Sequence, residues 1–302
     1  MKKLIGIGAV IFLAGALIFA GSFAALGWNI SKLDKHPAYE IKELTVENKG
    51  QNITINDKNV SFVIGISSDK NIHFEYYEND KNNYKVSNGS DITFTKQIYN
   101  NWYDHFFNFD SPSFTILLPA SYSGSIEINT SNAGIEAENL TAANITLNTS
   151  NGPININNFN ASKLSAKTSN GHINTSGGNI KNICALTTSN SKITAENITA
   201  GVLNADTSNS AIEVDGAVIN GNVSLITSNG QINFEKLSAK NNIILRTSNS
   251  SISGSILGAM SDFTINSKTS NGSNSLPENA AMGAKNLNVK TSNGNIKIDF
   301  VK

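Results

Sequence analysis

The second half of the chain is organised by a short alternation of apolar and polar residues that returns with a fixed marker. Thr-Ser-Asn begins at Thr130, Thr149, Thr168, Thr188, Thr207, Thr227, Thr247, Thr269 and Thr291, at steps of 19 to 22 residues. A period of this size is the signature of stacked structural repeats. Four and two residues before each Thr stand Ile126/Ile128, Ile145/Leu147, Leu164/Ala166, Cys184/Leu186, Leu203/Ala205, Val223/Leu225, Ile243/Leu245, Ile265/Ser267 and Leu287/Val289, with Ser267 the lone polar residue. Five residues after the Thr come Ile135, Ile154, Ile173, Ile193, Ile212, Ile232, Ile252 and Ile296, with Asn274 the exception. Apolar residues two apart face one side of a strand, so each repeat predicts two strands and no helix.

Each repeat therefore reads as a strand, a sharp bend at Ser-Asn-(Gly/Ser), a second strand and a variable corner that absorbs the differences in length. Asn tolerates the left-handed backbone better than other residues with a side chain, and Gly follows it at Asn151–Gly152, Asn170–Gly171, Asn229–Gly230, Asn271–Gly272 and Asn293–Gly294. Stacking at strand spacing would align the bend residues Asn132, Asn151, Asn170, Asn190, Asn209, Asn229, Asn249, Asn271 and Asn293 into a column that can bond amide to amide. The fold class expected is all-β, a parallel β-solenoid of about nine coils. An antiparallel meander with Asn-Gly hairpin turns is the structural rival, but it would leave one wide apolar face with nothing in the sequence to cover it.

Residues 39–122 have a different composition, aromatic-rich where the repeats are aromatic-poor, and read as a β region that caps or begins the solenoid of residues 123–302. Candidate strands there are Glu43–Glu47, Asn52–Asn56, Val60–Ser67, Asn71–Tyr77, Asp91–Gln97 and Ser113–Leu118, the last stopped by Pro119. Ahead of them, Leu4–Trp28 runs without a charge behind Lys2 and Lys3, long enough for a spanning helix. The expectation is a transmembrane anchor at residues 1–28, a linker at 29–38, and a single-pass protein of the cell membrane with its C-terminal region outside the cytoplasm. The alternative is cleavage after Ala24 and secretion.

Charge and chemistry narrow the function classes. The 23 basic and 23 acidic residues cancel, which argues against nucleic acid as a partner. One cysteine, Cys184, and the scattered His36, His73, His105 and His172 form neither a disulfide framework nor a zinc motif, and no cofactor is expected. Cys184 falls on an inward position, where packing is its expected role. The 46 asparagines are accounted for by columns. Eight residues after the Thr, three consecutive coils carry Glu196, Asp215 and Glu235, a solvated acidic face or the beginning of a Ca²⁺ site. Tyr99, Trp102, Tyr103, Phe106, Phe107 and Phe109 are too apolar for an ordinary loop and are expected to cap the first coil or to contact a partner.

The apolar N-terminal segment, the strand ending in Leu117–Leu118–Pro119 and the repeated Thr-Ser-Asn-Gly-x-Ile together resemble a bacterial putative adhesin family with β-strand repeats, related to auto-transporter adhesin head domains. The resemblance implies an extracytoplasmic β-solenoid and carries over no catalytic residue. The function expected is non-catalytic binding, in adhesion or as a cell-envelope scaffold. The expected partners are the membrane through the N-terminal helix and a surface glycan or envelope protein. An envelope-stress regulator acting through membrane partners and a polysaccharide-active β-helix enzyme are the alternatives. The coil that opens at Thr291 is expected to present an uncapped edge for edge-to-edge self-association.

Overall fold

The computed structural model describes residues 38–98 and 113–302, together with Gly21, Ala24 and Gly27 taken singly. The chain is an all-β parallel solenoid. The strand before each Thr, here the leading strand, stacks in register on its counterpart: Ile126 pairs with Ile145, Leu164 with Cys184, Leu203 with Val223 and Val223 with Ile243. The trailing strands after the bend stack likewise, Ile154 on Ile173 and on through Ile193, Ile212, Ile232 and Ile252. All six of these isoleucines are fully buried. Each contributes about 1.5–3 kcal/mol of apolar burial, which is why the column tolerates nothing polar in a complete coil.

The variable corner holds a third strand. Asn160 pairs with Asn179, Thr199 with Val218 and Val218 with Ser238, so a coil has three sides rather than two. The turn onto this side is made nine residues after the Thr, by Asn139, Asn158, Gly177, Asn197, Gly216 and Lys236, all with φ between 48° and 64°. The left-handed corner is therefore here and not at the Ser-Asn-(Gly/Ser) bend, where no residue has positive φ.

Sequence reasoning also missed a degenerate first coil. Asp57-Lys58-Asn59 stands where Thr-Ser-Asn stands elsewhere, with Ile53 and Ile55 stacked on Ile126 and Ile128 and with Phe62 on Ile135. Onto this coil the chain adds antiparallel strands. Asn71–Glu78 pairs with both Glu40–Glu47 and Ser113–Leu118, while Asn82–Asn88 pairs with Ile92–Ile98. Between these strands Phe62, Phe74, Tyr76, Tyr84, Phe94 and Phe114 pack with ring centroids 4.9–6.4 Å apart, closing the apolar interior. The six candidate strands of this region are all present. Asn82–Asn88 was not expected, because its polar run carries no strand signal.

At the other end the coils stack out of chain order. Leu287–Lys290 pairs with Ile243–Arg246 on one side and with Ile265–Lys268 on the other, and Ile252–Leu257 pairs with Ile296–Val301. The leading strand of the Thr291 coil thus lies inside the stack, between those of Thr247 and Thr269, while its trailing strand Ile296–Val301 meets on its outer side, among the described residues, only an isolated bridge from Asn274 to Ile296. The outer coil is that of Thr269, closed by Asn279–Ala281 running antiparallel to Thr264–Asn266. Its two sequence exceptions explain each other: Asn274 Nδ2 donates to Ser267 Oγ at 2.8 Å, and Ser267 Oγ donates to the Pro277 carbonyl at 2.7 Å. That coil has no regular trailing strand, so eight of the nine Thr-Ser-Asn copies are flanked by both a leading and a trailing strand.

The expected membrane localisation is corrected by the structure. Among the described residues no helix is long and apolar enough to cross a membrane. Leu4–Trp28, apart from the three single residues, lies outside the described residues, as do Tyr99, Trp102, Tyr103, Phe106, Phe107 and Phe109.

Candidate functional site

The bend column forms as the repeat predicts. Asn132 Nδ2 donates to Asn59 Oδ1, and the ladder continues through Asn151, Asn170, Asn190, Asn209, Asn229, Asn249, Asn293 and Asn271 with every step between 2.6 and 2.9 Å. It includes Asn59 and places Asn293 before Asn271. Beneath it the buried Thr hydroxyls stitch coil to coil. Thr168 Oγ1 donates to the Gly152 carbonyl at 3.1 Å and accepts from the Gly171 N–H at 3.1 Å. Bends with Gly after Asn approach the neighbouring coil closely: a Cβ on Gly171 would sit 1.8 Å from the Gly152 oxygen.

The three polar faces differ in charge. On the trailing strands Glu196, Asp215 and Glu235 are in direct register on successive coils, beside a shallow recess of about 270 Å³ shared with Thr194, Glu213 and Asn233. Lys192 pairs with Glu213 at 2.6 Å. Lys236, next in sequence to Glu235, makes the left-handed corner and forms no ion pair among the described residues. Strand stacking spreads the three carboxylates along a line, and among the described residues no three His, Cys, Asp or Glu side chains converge tightly enough to hold a metal ion.

The last three leading strands of the stack carry the opposite sign, a feature sequence reasoning overlooked. The residue immediately before each Thr forms a column whose last five members in stacking order are Asp206, Ile226, Arg246, Lys290 and Lys268. Its last three members are exposed cations on adjacent coils, and none is ion-paired among the described residues. They border a groove of about 620 Å³ whose other polar lining is Thr227, Ser228, Thr247, Ser248, Asn266, Asn288 and Ser292. Coils about 4.8 Å apart place the three positive charges close enough to repel by roughly 1 kcal/mol per neighbouring pair even in water. Asp206 is separated from them by Ile226. The signal was available in the sequence, since Arg246, Lys268 and Lys290 each precede a repeat Thr.

Among the described cysteine and histidine side chains none forms a nucleophile with its base. Cys184 is fully buried, and burial pushes its thiol up to about 12, so it stays protonated and packs as an apolar side chain. His73 bridges Asp69 at 2.9 Å and Thr45 at 3.1 Å on the surface of the N-terminal sheet. His172 stands on a bend without a carboxylate partner, and His36 and His105 lie outside the described residues.

These features define a repeat protein of the parallel β-solenoid class, built around an Asn ladder and presenting charge-segregated flat faces. The chain belongs to the Toastrack DUF4097 family, whose model matches residues 50–299. No curated protein matches it. Among solved structures it is similar to a putative adhesin from Parabacteroides distasonis, at 11% identity and a TM-score of 0.35, over 87% of this chain and 97% of that one. It is similar also to a putative adhesin from Bacteroides fragilis, at 16% identity and a TM-score of 0.32, over 87% and 99%. A third is a putative cell adhesion protein from Clostridium sporogenes, at 13% identity and a TM-score of 0.24, over 88% and 100%.

Proposed function

We propose that this protein is a non-catalytic binding module of the adhesin type, and that its ligand is an extended anionic glycan laid along Arg246, Lys290 and Lys268. The observation that carries the reading is the unpaired cation column itself. A polymer bearing one carboxylate per sugar relieves the repulsion between the three charges, while the serine, threonine and asparagine side chains along the groove offer donors and acceptors to its hydroxyls. A flat strand face needs no closure around such a ligand, and its affinity is built from repeated weak contacts.

The test is binding of polygalacturonate, with dextran of similar length as the neutral control, to the purified protein and to a triple variant carrying Arg246→Gln, Lys268→Gln and Lys290→Gln. Three exposed contacts of up to about 1 kcal/mol each amount to roughly tenfold to a hundredfold in affinity. The expected result is a loss of that size in the triple variant and weakening by salt. Equal binding of dextran, or undiminished binding by a folded triple variant, overturns the proposal.

A further inference from the structure

The degenerate first bend contains a buried arrangement that binding does not use. Asp57 Oδ1 accepts the backbone N–H groups of Lys58, Asn59 and Val60 at 2.6, 2.7 and 3.0 Å. Its other oxygen, Oδ2, accepts the Tyr84 hydroxyl. Lys96 Nζ lies 3.7 Å from Oδ2 and 4.3 Å from the centre of the Tyr84 ring. The Lys96 and Asp57 side chains are 7% and 2% exposed, and Nζ has no hydrogen-bond partner among the described residues. The rings of Phe94 and Phe114 pack edge-on against Tyr84 and keep the pocket apolar.

An ammonium buried without hydrogen bonds is costly. Burial lowers the Lys96 pKa, opposed by the charge of Asp57. Burial thus favours loss of the Nζ proton beside a carboxylate whose Oδ1 already sits among three N–H donors, the arrangement that stabilises a tetrahedral oxyanion. Fixed proximity in a dry site supplies the effective concentration that condensation in water lacks.

We infer that Lys96 and Asp57 become joined by an intramolecular amide bond between Nζ and Cγ. In this step Nζ attacks Cγ, negative charge gathers on Oδ1, and the Cγ–Oδ2 bond breaks. The starting ammonium and carboxylate contain all the atoms needed. Nζ gives up two of its three protons, both leave with Oδ2 as water, and the amide keeps the third. Tyr84 hands its hydroxyl proton to Oδ2 and recovers one from Nζ, ending as it began. The link ties Ile92–Ile98, and the hairpin it forms with Asn82–Asn88, to the first bend of the solenoid. Two buried charges disappear with it.

The test is mass spectrometry of peptides from the purified full chain, denatured and then digested with trypsin. The expected product is a branched species in which the Asp57 and Lys96 peptides are joined and together lighter by one water. Lys96→Met should abolish it, Lys85→Met should leave it intact, and Tyr84→Phe, which keeps both reacting groups, should lower the linked fraction severalfold. Recovery of only separate linear peptides from the folded wild-type chain overturns the proposal. Linkage in Tyr84→Phe at the wild-type level and rate overturns the shuttle assigned to the phenol.

Discussion

The threonine column offers an internally controlled test of how the coils are held together. Thr168 and Thr130 occupy the same position in different coils and are 2% and 8% exposed. Thr168 Oγ1 links the Gly152 carbonyl to the Gly171 N–H, whereas Thr130 Oγ1 is buried with no partner, because its neighbouring coil is the degenerate one at Asp57. Valine replaces threonine with almost the same shape. Thr168→Val therefore strands two buried polar groups at about 1–3 kcal/mol each, and a net loss of about 2–4 kcal/mol is expected. Thr130→Val removes an unsatisfied buried hydroxyl, and should be neutral or stabilise by about 1 kcal/mol. In a protein of this size the first change corresponds to a fall in melting temperature of roughly 5–10 °C. Thermal and urea melts of both variants, read as shifts in midpoint at constant m-value, decide the matter. A Thr130→Val variant as destabilised as Thr168→Val would show that side-chain volume, not the coil-to-coil hydrogen bond, sets the cost.

Two further outcomes follow from local geometry. At the left-handed corner, Gly216→Val should destabilise by about 2 kcal/mol or more, while Lys236→Asn should raise the melting midpoint slightly, since Asn visits φ near +50° more readily than Lys does; equal effects of the two changes would refute the corner's role. Asp69 is held down at about 2, chiefly by the Asn71 N–H at 2.7 Å and then by His73. Its folded pKa is below the ordinary value, so its contribution to stability is present above about pH 4 and is lost as the pH falls through about 2. The melting deficit of Asp69→Asn should accordingly be full at neutral pH and vanish near pH 2, and a deficit independent of pH would exclude the carboxylate as its source.

The repeat was legible because its physics is periodic. The alternation at Ile145/Leu147 and Ile154 could only be a strand buried on one face, and the asparagine column followed from stacking once the period was known. What escaped was either aperiodic or dependent on neighbours distant in sequence. Asp57-Lys58-Asn59 shares only its asparagine with Thr-Ser-Asn, and only the stacking of Ile53 on Ile126 reveals it as a bend of the same kind. The third side of each coil was masked because its corner uses Asn, Gly or Lys interchangeably. The bend asparagines suggested the left-handed conformation that in fact occurs at Asn139, Asn158 and Asn197. Of the charged columns, the acidic one was read from its spacing, whereas the cations at Arg246, Lys290 and Lys268 went unnoticed although their spacing was as regular.

The interleaving of the final coils sets the order in which the molecule can be completed. Through Ser251 each coil rests on one already made, so this part can accrete turn by turn as the chain emerges during synthesis. Beyond it, Phe263–Lys268 is made before the strand that supports it, and must wait unmoored until Leu287–Lys290 slides between it and Ile243–Arg246. The leading strand of the Thr291 turn is thus a keystone, inserted after its neighbours on both sides exist. Duplicating a repeat upstream would lengthen the stack, but duplicating the Thr291 coil would leave two segments competing for one slot.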